Sequence, residues 1–246
     1  MKVSGNGHIP AGDYNDRISI NGSCTLDGNV RCLGFSSKGS THCTGSLECA
    51  EEIRSSGSIH IEGNAVANTL SVAGTTQVAG DLVIQNATAA AGALVVNGIV
   101  KSGRLSCAGR VQAVHGIETQ EFSMAGQVKC EGSIKADVVD IALDRIAKSA
   151  VNAVSCKEIR VYRKHAVGKG KRKKRRPLFA NIRSKKVRLT VSDAVEGDVV
   201  ALECVKAPKV VGRMVTIGAG CRIDLVQYRE TCEVNPRAKV GRCEKI

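Results

Sequence analysis

Hydrophobic and polar residues alternate with period two through most of this chain, and glycines interrupt the alternation at regular intervals. The stretch GSIHIEGNAVA, Gly57 to Ala67, holds the plan. Gly57 and Gly63 stand six apart, and apolar residues follow each at two and four positions: Ile59 and Ile61, then Ala65 and Ala67. Ser58, His60, Glu62 and Asn64 fill the gaps. Period two marks a strand with one buried face, and glycine tolerates the tight corner that ends it. Each hexad therefore predicts a short strand and a turn.

The unit repeats. Glycines that open such pairs stand at 22, 39, 57, 74, 92, 109 and 126, a nearly constant interval. Taking glycines 22, 28, 39, 45, 57, 63, 74, 80, 92, 98, 109, 126 and 132 and stepping two and four residues on gives 26 positions. Of these 23 are apolar; the exceptions are Thr41, Thr76 and Ser102. A third strand precedes each pair, as at Ile18 and Ile20, Leu70 and Val72, Leu105 and Cys107, and Phe122 and Met124. Three short strands per 17–18-residue turn predict an all-β chain wound as a parallel β-helix, rising about 4.8 Å per turn. Roughly eight turns in the first part would make a rod of about 40 Å.

The domain reading follows from where the pattern holds. Residues 1–16 are polar and glycine-rich and are expected to be a flexible lead-in. The repeats run over 17–162, with a helix over 142–151 weighed and continuing strands preferred. Residues 163–186 break the pattern, and it resumes over 187–246 for about three more turns, with Gly212 and Gly218 again six apart.

Composition sharpens the fold. Aromatics make up only 2% of the chain, with no Trp, which suits a narrow core of stacked Val, Ile, Leu, Ala and Cys better than a wide globular one. Of eleven cysteines, Cys24, Cys32, Cys43, Cys49, Cys107 and Cys130 fall on inward positions and read as small hydrophobes in a reducing compartment. No CxxC pair exists, so no metal site and no cofactor are expected. No 18-residue apolar run is present and the N-terminus has no apolar core of a signal peptide, which predicts a cytoplasmic protein.

Charge is concentrated in one place. The segment RKHAVGKGKRKKRRPLFANIRSKK, 163–186, holds twelve Lys or Arg and no acid, so everything outside it contributes only +1 to the net charge of +13. Lys169, Lys171, Arg172, Lys173, Lys174, Arg175 and Arg176 form its densest part, either a solvated loop or a clamp for a polyanion such as DNA, an anionic lipid surface or an acidic protein. Phe179 is its only aromatic residue, so base stacking and sequence-specific nucleic-acid recognition are not expected. Val66 and Val83 fall on outward positions of successive turns, with Val95 and Ile99 nearby; they are either sheet-surface β-formers or a lateral contact.

The glycine-spaced repeats, with VEGDVVALECVKAPKVVGRMVTIGAGCRIDLVQYRETCEV in the C-terminal part, resemble the bactofilins, polymer-forming cytoskeletal proteins of bacteria. The resemblance covers roughly 17–162 and 187–246. It implies a right-handed parallel β-helix that polymerises end to end, without nucleotide, into non-polar filaments serving as scaffolds in cell shape, envelope or motility processes. The partners it implies are further copies of the chain or a paralogue, with attachment at the inner face of the membrane as a variant. The chain departs from the compact pattern in its length, its basic insert and its lack of an apolar N-terminal membrane-targeting segment.

Two other function classes compete. A hexapeptide-repeat acyltransferase also has a six-residue rhythm, but it would need unbroken 18-residue turns and a histidine base. His8 lies in the expected tail, His42 and His60 face outward, His115 is near a corner and His165 borders the basic run, so all five read as surface residues. The other is a polyanion-binding module built on 163–186. GxxxxGK[ST], HExxH and GxSxG motifs are absent, and no enzymatic activity is expected.

Overall fold

The period-two pattern becomes a coil with three strands to the turn. The computed structural model describes residues 1–144, 147–163 and 187–246. Among them there is no helix, and the strands stack in parallel as a β-solenoid of about 12 turns. One turn shows the rule: strands Ser40–Cys43, Leu47–Cys49 and Glu52–Ser55 lie on three successive faces. Ser40–Cys43 pairs with Ser58–Ile61, that strand with Thr75–Val78, and that with Ala93–Val96.

The pairing preserves each residue's offset from its glycine, so like positions stack in columns. Thr41, Ile59, Thr76 and Leu94 form one inward column and Cys43, Ile61, Val78 and Val96 the next. Of the 26 positions expected to face inward, all but Ala136 are buried, and Ala136 packs half-buried against the core. The three polar ones are inside as well. Thr41 shares a 2.8 Å hydrogen bond with Ser37, and Ser102 a 3.1 Å bond with Thr88. Thr76 Oγ1 has no hydrogen-bond partner among the described residues.

Two corner columns fix the register. Gly39, Gly57 and Gly74 stack so closely that a Cβ on any of them would lie 2.0–2.1 Å from the carbonyl oxygen of the glycine one turn before. No side chain fits there, which is why the repeat is written in glycine. At another corner, side chains accept the N–H of the next turn: Ser46 N–H donates to Asn29 Oδ1, Asn64 N–H to Ser46 Oγ, Asp81 N–H to Asn64 Oδ1 and Ile99 N–H to Asp81 Oδ1, at 2.8–3.0 Å. That ladder satisfies backbone donors that the bend removes from the sheet.

One expectation is corrected. Residues 1–16 form an additional turn instead of a flexible lead-in. Lys2–Ser37 is continuous strand, Ile9 is fully buried, and Ser19 N–H donates to Met1 O at 3.0 Å. The physical reason is that Gly5 precedes Gly22 by one full repeat interval and Ile9 stands four beyond it, so the register already begins there. The preference for strands over a helix at 142–151 holds among the described residues: Leu143 ends one strand and Ser149 begins the next.

The break at 163–186 does not divide the rod. Ser149–Val151 pairs directly with Leu189–Val191, and the strand Ser149–Arg163 pairs along its later part with Ala194–Leu202. The C-terminal turns thus continue the first stack.

Candidate functional site

A closed coil of strands has no lateral edge, so its tips are where unpaired backbone and apolar cross-section meet solvent. The final strand, Lys239–Lys245, pairs with Arg222–Val234, and nothing among the described residues pairs its other side. Around it the interior comes to the surface. Tyr228, Cys232, Ala238 and Val240 are only partly covered, Val234 is 41% exposed and Ile246 56% exposed. At the opposite tip, Ile9 is fully buried, Val3 and Tyr14 pack against the core, and the Tyr14 hydroxyl donates to Pro10 O at 2.8 Å.

The outward valines are where the repeat puts them. Val66 and Val83 are register partners and both are half-buried. Their column is short and framed by charge: Glu48 pairs with Val66 on one side and Lys101 with Val83 on the other. Arg31 reaches Glu48 at 2.7 Å and Lys101 reaches Glu118 at 3.2 Å. The apolar patch is two residues tall.

The basic candidates Lys169, Lys171, Arg172, Lys173, Lys174, Arg175 and Arg176, with His165, lie outside the described residues. Their flanks do not. Arg163 is paired with Leu143 across neighbouring turns, and its N–H donates to Glu203 Oε2 at 3.3 Å.

The cysteines behave as packing groups. Cys24, Cys32, Cys43, Cys49, Cys107, Cys130, Cys204 and Cys221 are buried, and no disulfide joins any two of them. Burial pushes Cys107, Cys130 and Cys221 up to about 11, far above the range in which a thiolate forms at neutral pH. Cys32 and Cys49 stack with their sulfurs 3.3 Å apart, and that contact together with burial holds the Cys49 thiol well above its ordinary value.

The repeat also assembles a group that no short motif encodes. The lack of CxxC argues against a metal site, yet His42 and His60 occupy the same column in successive turns with Glu62 beside them, their ligating atoms all within 4.8 Å of one another. The signal that would find them is their separation in sequence, which equals one turn. His8 and His115 stay apart from this group; His8 sits 3.4 Å from Asp27, and His115 takes the place of a glycine at a corner.

A 73-residue stretch of the chain is 36% identical to the uncharacterized protein YhbF of Bacillus subtilis (strain 168). The match spans 30% of this chain and 30% of that relative. No family model matches, and no solved structure matches. Among the described residues no helix is long and apolar enough to cross a membrane.

Proposed function

We propose that this chain is a bactofilin-like structural protein that polymerises through the tips of its β-solenoid, without nucleotide, into filaments that serve as a scaffold for cell-envelope, shape or motility processes. The observation that carries this reading is the C-terminal tip, where a strand edge that no described residue pairs lies over Val234, Val240 and Ile246. Burial of a cross-section of this kind against a second copy would recover ladder hydrogen bonds and apolar contact together. Each contact between like tips is self-complementary: a C-terminal pair alone would close as a dimer, and C-terminal and N-terminal pairs in alternation would generate a filament with no direction, which agrees with the sequence resemblance. The setting in this reading is the cytoplasm, with attachment to the inner face of the membrane as its variant.

The basic run supports an accessory role in the same filament. Each copy carries twelve positive charges in this run, and repetition along a rod multiplies weak electrostatic contacts with an anionic membrane surface or an acidic partner. Deletion of 169–176 should then remove binding to anionic vesicles while filaments persist.

Negative-stain microscopy of the purified chain without nucleotide tests the main reading. Unbranched filaments about one solenoid wide are the expected result. A particle that remains single at every concentration would sink it.

A further inference from the structure

We infer that His42, His60 and Glu62 form a binding site for a divalent transition-metal ion of the Zn²⁺ type on one outer face of the solenoid. The argument begins with register. His42 and His60 are direct partners in neighbouring parallel strands, and their rings stack with centroids 5.2 Å apart and planes within 3°. Glu62 lies two residues beyond His60, on the same side of the chain, and its Oε1 is 3.1 Å from His42 Nε2.

Three features distinguish this group from an ordinary surface cluster. The donor set is two imidazoles and a carboxylate, the combination that borderline cations such as Zn²⁺ select over Mg²⁺ or Ca²⁺. His60 Nδ1 lies 3.1 Å from Gln77 Oε1, the residue below it in the column. With the amide oxygen accepting, the proton sits on Nδ1 and the Nε2 lone pair is left for a metal. That is the second hydrogen bond by which metal-ligating histidines are oriented. Finally, the neighbouring outward positions Ser40, Ser58, Thr25 and Gln77 carry no charge, so no cation at these positions opposes an incoming one.

The geometry needs a modest closure. Tetrahedral ligands about 2.0–2.1 Å from Zn²⁺ stand roughly 3.4 Å apart. The His42–Glu62 pair already meets that spacing, while His60 must turn out of its stacked plane to bring Nε2 inward. The His42 and Glu62 side chains are 44% and 50% exposed and free to adjust on the solvent side, while half-buried His60 gives up its stacking on His42 as it turns. Three protein ligands leave a fourth position for water.

Zn²⁺ titration of the reduced, chelator-stripped full chain by calorimetry, with Co²⁺ absorption in parallel, tests the site. One ion per chain is expected, with a Co²⁺ spectrum lacking a thiolate charge-transfer band. His60→Ala and Glu62→Gln should each weaken binding by about tenfold or more, and Gln77→Ala by about tenfold with the stoichiometry kept. Unchanged melting of the metal-free variants would establish that these surface replacements leave the fold intact; should His60→Ala misfold, Glu62→Gln alone decides. Undiminished binding in Glu62→Gln, no saturable binding at all, or a thiolate band showing that cysteines hold the ion would each overturn the proposal.

Discussion

The two tips of this solenoid are built from the same repeat and end differently. At the N-terminal tip the outermost turn buries Ile9 completely, Val3 and Tyr14 lie half-buried against the core, only Met1 among the large apolar side chains is open, and Pro10 stands in the outermost strand. Proline offers no N–H to a visiting strand, a familiar way to blunt a sheet edge. At the C-terminal tip the last strand contains no proline and the side chains around it, Val234 and Ile246 above all, are open to solvent. A repeat therefore sets the body of a solenoid, whereas the few residues that depart from it set what each end can do.

The largest effects should come from comparing the body with a tip. Gly39→Val would drive a side chain into the Gly22 carbonyl, 2.0 Å from the Cβ position, and should destabilise the fold by more than about 3 kcal/mol. Gly5, at the N-terminal tip, has nothing within 4 Å of its Cβ position, and its φ of 82° suits asparagine. Gly5→Asn should shift stability by less than about 1 kcal/mol. Equal losses in denaturant unfolding would show that the glycine ladder is not what fixes the body.

Next comes the contrast in burial. Ile9→Ala should remove about 2–4 kcal/mol, the usual loss for a filled core position, although the residue lies in the outermost turn. Ile246→Ala should remove less than about 0.5 kcal/mol from the isolated chain, because most of its side chain is already wet. If Ile9→Ala were as mild as Ile246→Ala, the first turn would not be sealed in solution.

These contrasts mark what can be read from the residues alone. The body is legible because glycine spacing and alternation are each strict, and two strict periods leave one register: Ile59, Ile61, Val78, Leu82 and Val96 line a common interior as the spacing requires. The first turn is not, because its apolar content is Ile9 alone on the strand that follows Gly5, and one isoleucine among GNGHIPAGDYND does not announce a period. Inequality of the tips is hidden for a related reason. Whether Tyr14 covers the interior depends on how the chain folds back over it, which alternation does not encode. The histidine pair is concealed by separation in sequence; only the turn length makes His42 and His60 neighbours.

The assembly contrast is smaller in free energy for the single chain but decisive for the polymer. Val234→Glu with Val240→Glu would place carboxylates on the open cross-section, and each would face its own copy in a contact between like tips. Filaments should give way to dimers at most, joined through the N-terminal tips, in sedimentation and microscopy. Tyr14→Glu, at the sealed tip, should leave contacts between C-terminal tips in place. Loss of assembly in the second variant and not the first would reverse the order of the two ends.

The finest test uses a probe already present at the open tip. Cys243 is exposed on the last strand, while Cys156 is half-buried mid-rod with its thiol pushed up by burial to about 12. Alkylation proceeds through the thiolate and needs access, so in the dispersed chain Cys243 should react first and Cys156 slowly. Assembly through C-terminal tips would cover Cys243 and leave the environment of Cys156 unaltered. The rate at Cys243 should fall by about tenfold or more in filaments, with the ratio to Cys156 cancelling changes in reagent or pH. A Ser4→Cys probe at the other tip supplies the counterpart. Protection of position 4 with Cys243 still reactive would mean that the sealed end makes the firmer contact, and that exposed apolar side chains are a poor guide to which end of a solenoid binds.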